Sequence, residues 1–536
     1  MDNKGMKDRD MHVQRHLYFY LFPSISNIFI SQMRLLLLCL GILLVSFNFE
    51  CYTQVQKPNL LKVKISVTPQ MKSSFQKDGC LFLRINRQGG KEPRTNAEIA
   101  IAITPNSWDG TKPFVFDTNN KSILASGLDK LSGSKPEKFY CQIFYKQDLF
   151  DCNENVAANL YSKVDSFILA KVVNINLSLT TIIQPVEVTK HDLVKTVTIQ
   201  SKYLTGFFGK PRSLTASILL PASFHQNPNK SYPICYRAPG LGGRLTRIND
   251  ILKDKDFMGW WVSKDAPQVV YVFLDSRGPY GDTYQVDSEN NGPCGKTLTE
   301  ELMPAIEAAV HYDPASKKRF VTGLSTGGWV ALGLQIFYPD FFDGAWAYSP
   351  DPLEFEHFGL INIYQDSTIF YNKWGYLQPG VRTIYDEPTR SMKDWIAGEN
   401  RSGWANDYRT SGGQFGAYNA VFGPKGKDGL PTLMFDPMTG KIDHSISRQW
   451  EKYDLKKVLE KNWSVLGPKL QGKIWIWTGD SDDLYSNVAT RFFKMFIDKT
   501  ENPKSDAVIK FTPMAEHCEE WDDQAVIMMI AEKLKK

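Results

Sequence analysis

The chain has 536 residues, 42% of them hydrophobic and 23% charged, with a formal net charge of +5. That is enough apolar material for two domains with cores of their own. The charge is too evenly spread, with no arginine–lysine stripe, for a nucleic-acid-binding protein, and no internal repeat is visible, which counts against a propeller.

The first 51 residues read as a leader. Met33-Arg34 precedes an apolar run from Leu35 to Val45, and polar residues return from Asn48. A basic start and a short apolar core predict a secretory signal peptide around residues 33–51, hence a periplasmic or extracellular protein. The core is short for a membrane span. A largely apolar stretch from His16 to Phe49 leaves an N-terminal membrane anchor as the alternative, although Pro23, Gln32 and Arg34 interrupt it. Cys39 and Cys51 lack a small-residue lipobox. Of the six later cysteines, Cys141 and Cys152 are close enough to bridge a hairpin in an exported protein. Cys235 lies in an apolar run and reads as a buried thiol. No spacing resembles a zinc site, and neither metal nor cofactor is expected.

Residues 52–190 carry short alternating runs: Leu61 to Val67, Cys80 to Ile85, Ala97 to Ile103, Phe139 to Tyr145 and Val172 to Ile183. Turn clusters such as Asn119-Asn120 separate them. This pattern predicts an all-β, sandwich-like N-terminal domain.

From residue 191 the pattern changes. Two opening strands (Thr196 to Gln200, Leu214 to Leu220) precede an alternation of strands and helices. The further strand candidates are Tyr232 to Tyr236, Val269 to Leu274, Arg319 to Thr322, Gly344 to Tyr348, Lys473 to Thr478 and Ala507 to Phe511. Leu298, Leu302, Ile306 and Val310 mark one face of a helix over 298–312. Such alternation implies an α/β domain, 191–536, with a mostly parallel sheet wrapped by helices. The stretch 353–472, rich in Gly, Trp and Tyr, fits no simple crossover and is expected to form a cap-like insertion.

The most informative motif is Gly323-Leu324-Ser325-Thr326-Gly327-Gly328, between a strand-like and a helix-like run. It matches a G-x-S-x-G nucleophile elbow, in which a sharp turn exposes the serine hydroxyl. Its partners should follow in the order acid, then histidine. Only one of the eight histidines, His517, lies beyond the acidic loop Gly479-Asp480-Ser481-Asp482-Asp483. Asp482 is the favoured acid, with Asp483, Asp480 and Asp351 as alternatives. The loop Pro239-Gly240-Leu241-Gly242-Gly243 follows an early strand. It would supply an oxyanion donor from Leu241, with Gly240 and Gly242 as rivals; Thr326, after the nucleophile, would supply the second. Gly240, Gly242, Asp351 and Asn291 are the candidate substrate-contacting residues.

The stretch GLSTGGWVALGLQIFYPDFFDGAWAYSPD (323–351) resembles the esterase family that includes esterase D and feruloyl esterases. SYPICYRAPGLGG (231–243) and NGPCGKTLTEELMPAIE (291–307) resemble other parts of that family. One departure is Pro239-Gly240, where the family usually has His-Gly. The resemblance implies an α/β-hydrolase fold and metal-free hydrolysis of carboxylic esters. It carries over Ser325, Asp482 and His517 as triad and Leu241 and Thr326 as oxyanion donors. The expected substrate is a small-molecule or glycan ester. Trp374, Tyr376, Trp395, Trp404 and Tyr408 in the insertion suit a sugar or phenolic group. The rival functions are a serine peptidase of the prolyl-oligopeptidase type and a non-catalytic carbohydrate- or surface-binding protein.

Overall fold

The computed structural model describes residues 60–535 except 91, 95–96, 133–134, 153–155, 228, 401–402 and 404–406. The leader and Trp404 lie outside these residues. Among the described residues no helix is long and apolar enough to cross a membrane.

Two large sheets account for the two patterns read from the sequence. The first has nine strands: β1 (Leu60–Val67), β2 (Cys80–Asn86), β3 (Ile99–Ile103), β4 (Phe114–Asp117), β5 (Leu124–Ser126), β6 (Lys138–Lys146), β7 (Leu160–Ser162), β8 (Asp165–Ile168) and β9 (Val172–Ile182). Their order is β4-β1-β9-β7-β6-β2-β3-β5, with β8 also on β6. All pairs are antiparallel except β1 with β9. In β1 and β9 alternate residues are buried, as period-2 side chains on one covered face require. Leu61, Val63, Ile65, Ile101, Ile143 and Leu177 belong to one core. The N-terminal region is therefore β-rich, built as one continuous sheet with a main core and a smaller cluster of Cys80, Phe82, Ala102 and Phe144. The short strands β4, β5, β7 and β8 carry too few residues to show an alternation.

The second sheet has eight strands: β10 (Val194–Gln200), β11 (Ser213–Leu219), β12 (Ile234–Ala238), β13 (Val270–Phe273), β14 (Arg319–Leu324), β15 (Gly344–Tyr348), β16 (Ile474–Gly479) and β17 (Val508–Thr512). Their order is β10-β11-β13-β12-β14-β15-β16-β17. β10 and β11 are antiparallel to their neighbours and the other six run parallel. β12, β13 and β15 are buried along their whole length, as strands covered on both faces must be. Between β15 and β16 the rings of Trp346 and Trp475 stack at 4.5 Å, and those of Tyr348 and Trp477 at 5.0 Å. These cross-strand pairs fix the register under the site.

Helices wrap this sheet: α1 (Met303–Ala309), α2 (Thr326–Phe337), α3 (Gln414–Phe422), α4 (Leu455–Leu470), α5 (Ser486–Ile497) and α6 (Asp523–Lys535). Leu298, Leu302, Ile306 and Val310 are all buried, as their spacing predicts. The last part of the 353–472 stretch is α4. Pro468 lies within it and Asn462 departs from helical dihedrals, which hid this helix from a periodicity reading.

All six described cysteines are free thiols. Cys141 and Cys152 are not bridged: Cys141 faces the core of the first sheet, while the N–H of Cys152 donates to the Gly278 carbonyl in the second half of the chain at 3.1 Å. Cys235 is buried in β12.

Candidate active site

Three loops at the C-terminal edge of the parallel strands meet at Ser325. In open α/β sheets this edge is where ligands bind. Ser325 is the single residue between β14 and α2, and its φ is +56°. A non-glycine residue there is strained by about 1–3 kcal/mol and must be held by its surroundings. Its N–H donates to the Tyr348 carbonyl at 2.9 Å, and its carbonyl accepts the N–H of Gly328 at 2.8 Å. The flanking glycines are required by contact. A Cβ on Gly323 would lie 2.3 Å from the Gly327 carbonyl oxygen, and one on Gly327 would lie 2.4 Å from that of Ala238.

His517 follows β17 and Asp482 follows β16. Gly479 lets these two loops touch: a Cβ there would stand 2.2 Å from the Ala515 oxygen. His517 Nε2 is 2.9 Å from Ser325 Oγ, and His517 Nδ1 is 2.8 Å from Asp482 Oδ2. Asp482 is fully buried. Its Oδ1 accepts the N–H groups of Leu484 (3.0 Å) and Ser486 (3.3 Å), which leaves Oδ2 for the imidazole. A carboxylate on Nδ1 favours the tautomer with a free acceptor at Nε2. Burial pulls the His517 pKa down, but the charge and hydrogen bond of Asp482, helped by Cys518, outweigh it and hold it well above the usual imidazole value.

The alternative acids do not bond to the imidazole. Asp480 pairs with Arg491. Asp483 lies within reach of Asp482 and His517, but its buried Oδ1 has no hydrogen-bond partner. This trio is the one described cluster with metal-like convergence, and two of its ligand atoms are spent on each other. Asp351 Oδ2 accepts from the Tyr284 hydroxyl (2.6 Å), the Thr326 hydroxyl (2.9 Å) and Gln414 Nε2 (3.0 Å). It therefore braces the elbow from behind instead of contacting a ligand in the cleft. Burial raises its pKa despite these donors.

The turn after β12 lies against the elbow. A Cβ on Gly240 would be 3.4 Å from the Leu324 oxygen. Gly243 N–H closes the turn on the Gly240 carbonyl at 2.8 Å, and Gly242 adopts φ +70°. Leu241, at the tip, is 42% exposed. Thr326 is the first residue of α2, so its N–H lacks an intrahelical acceptor. Gly240, Leu241, Ser325 and His517 line an open cleft of about 820 Å³. Asn291 is not in it. Its buried amide lines a separate narrow cavity of about 40 Å³ with Gln285 and Cys294, room for a few waters at most.

Several contributors carry no sequence signal. Arg244 lines the cleft beside the turn at 239–243. Its Nη1 donates to Asp151, from the first sheet's region, at 2.8 Å, and its Nε to Asp275 at 3.0 Å. Gln414 reaches Asp351 from the insertion. Arginines, tyrosines and glutamines are scattered through the chain, and only the fold selects these.

The family model described as "Putative esterase" matches residues 210–523, more than half of the chain. No curated protein matches. Among solved structures the chain is similar to a ferulic acid esterase at 16% identity, covering 64% of this chain and 97% of that one with a TM-score of 0.40. It is also similar to an S-formylglutathione hydrolase from Agrobacterium tumefaciens at 13% identity, covering 64% and 93% with a TM-score of 0.35. A fluorophosphonate-binding serine hydrolase of Staphylococcus aureus is similar at 13% identity, covering 64% and 98% with a TM-score of 0.38. The chain belongs to the putative esterase family, and it is a carboxylic ester hydrolase with an α/β-hydrolase fold behind a β-rich N-terminal region.

Proposed function

We propose that this protein is an exported serine esterase that works through Ser325, His517 and Asp482. One observation carries the reading: hydroxyl, imidazole and carboxylate form two consecutive hydrogen bonds of 2.9 and 2.8 Å at the wall of an open cleft. Export rests on the signal-like run at 33–51.

Ser325 Oγ attacks the ester carbonyl carbon while His517 Nε2 takes its proton. The carbonyl π electrons move onto oxygen, and the N–H groups of Leu241 and Thr326 receive that charge. Each such donor is worth about 10²–10³ in turnover. Collapse of this intermediate breaks the bond to the alcohol oxygen, which leaves with the proton from His517. The acyl group stays on Ser325. Water then attacks, His517 takes its proton, and the acid departs as the serine is restored. Asp482 holds the imidazole tautomer and offsets its positive charge throughout.

The substrates we propose are esters of carbohydrates or phenolic acids. Trp374 and Tyr376 stand 69% and 72% exposed on the insertion, where flat rings suit sugar or phenolic faces. Incubation with a fluorophosphonate probe should label wild-type protein and leave Ser325→Ala unlabelled. Label retained by Ser325→Ala would place the nucleophile elsewhere. Turnover of acetylated xylan, feruloyl esters and short aliphatic esters, measured side by side, identifies the substrate class.

A further inference from the structure

We propose that Arg382, carried by the insertion between β15 and β16, is a positioning residue that fixes the loop presenting Asp482 to His517. The proposal rests on the triad reading above. Arg382 ends the first strand of the hairpin Pro379–Arg382 and Pro388–Ser391. The hairpin lies far from the acid loop in sequence, yet it grips that loop at several points. The N–H of Arg382 donates to the Asp483 carbonyl at 3.0 Å. Its Nε donates to the carbonyl of Asp482 itself, also at 3.0 Å, and Nη2 approaches Asn487 Oδ1 at 3.4 Å. The guanidinium lies 4.6 Å over the ring of Tyr485. Asp386, at 2.7 Å from Nη1, holds the far side of the fork.

The gripped segment is short and strained. Tyr485 has φ +60°, a conformation that bulky side chains rarely keep unless neighbours enforce it. On the strand side, the Asp480 and Ser481 N–H groups bind the Thr512 and Ala515 carbonyls. Past Asp482, the bonds within the loop run back to Asp482 and Asp480, from Leu484, Tyr485, Ser486 and Asn487. Besides the β17 loop that carries Ala515 and His517, Arg382 ties this turn to a further element, the hairpin of the insertion. Asp482 is therefore located by two sets of partners: Leu484, Ser486 and His517 on its carboxylate, Tyr485 and Arg382 on its backbone carbonyl. A planar fork can serve the Asp482 carbonyl and Asn487 together; an ammonium cannot reproduce that geometry.

The consequence is that the insertion acts on the imidazole at a distance. The titratable groups facing His517 are Asp482, Cys518 and Asp483, and Asp351 in turn responds to its charge. Around Arg382 the charged or titratable neighbours are Asp386 and Tyr485. Loosening the turn weakens the Asp482–His517 bond, so the imidazole loses the partner that keeps its pKa high.

The test is steady-state kinetics of full-length Arg382→Met and Arg382→Lys on a short aryl ester across pH, with thermal melts to verify folding. For Arg382→Met the expected kcat loss is about 10–100-fold, the scale of a misplacement near 1 Å. KM should change less than about threefold, and the acidic limb of kcat/KM should move to lower pH. Arg382→Lys should fall between Met and wild type. A folded Arg382→Met with wild-type kcat and an unmoved limb would overturn the proposal. If Arg382→Met does not fold, a folded Arg382→Lys with wild-type kcat and limb would overturn it equally. A wild-type enzyme unimpaired by Ser325→Ala would instead sink the triad reading itself.

Discussion

Asp351 leaves the end of β15 and Asp482 follows the end of β16, the neighbouring strand. Both are buried, 3% and 0% exposed, and both touch the machinery around Ser325. Their partners differ. Asp482 faces an imidazole that can become a cation. Asp351 faces three neutral donors from Tyr284, Thr326 and Gln414. Depth alone does not identify a catalytic acid; the chemistry of the opposing group does. A carboxylate beside a developing imidazolium repays its desolvation during the reaction, whereas one beside neutral donors stabilises the resting structure.

The sharpest way to break this contrast is substitution by asparagine. Asp482→Asn should lower kcat by about 10⁴, while Asp351→Asn should lower it by less than about 10². Equal losses, measured on the same aryl ester, would erase the distinction. A second difference lies in pH. In the proposed mechanism His517 must be neutral to accept the serine proton; with its pKa held well above the usual value, the acidic limb of kcat/KM should lie above pH 6.5. The residual activity of Asp482→Asn should show that limb at lower pH; in Asp351→Asn it should stay near its wild-type position. A limb below 6.5 in the wild type would contradict the geometry.

Stability should separate the pair in another way. The raised His517 pKa contributes stability fully present below about pH 6.5 and lost as pH rises through its folded value. The raised pKa of Asp351 has the same sign at lower pH: its folding advantage exists below the ordinary carboxyl range and disappears as pH rises through the elevated value. Asp351→Asn keeps an acceptor and sheds the charge, so unfolding free energy at pH 7 should change by less than about 1 kcal/mol. Asp351→Leu should cost about 1–3 kcal/mol for each donor left without an acceptor. Denaturant melts that rank the two variants in the opposite order would refute the brace. The smallest effect belongs to Asp483→Asn, expected within about threefold of wild type in kcat, since Asp482 already occupies Nδ1.

What the sequence made legible was local and close-packed. The glycines around Ser325 are required by backbone contacts, so their spacing carries the turn. The apolar runs became strands within two residues of their predicted ends, because burial leaves continuous hydrophobic letters on a strand covered on both faces and alternating ones on a strand covered on one. Asp482 was favoured over Asp483 by position, without a physical discriminator. That discriminator, two loop N–H groups on Oδ1, belongs to three dimensions. Arg382, Gln414, Arg244 and Asp151 come from segments whose composition says nothing of their destination. Asn291, a candidate for substrate contact, lines a small cavity apart from the cleft that holds Ser325 and His517.

The Asp151–Arg244 contact bears on whether the chain can be dissected. Arg244 lines the cleft and Arg277 the neighbouring small cavity, with Asp151 and Asp275 between them. Excising residues 58–186 would leave two guanidinium groups sharing one carboxylate beside the oxyanion turn. The surplus positive charge would draw anions from solution and tug the turn out of shape. A truncated hydrolase would thus inherit the reactive atoms but not the electrostatic balance around them.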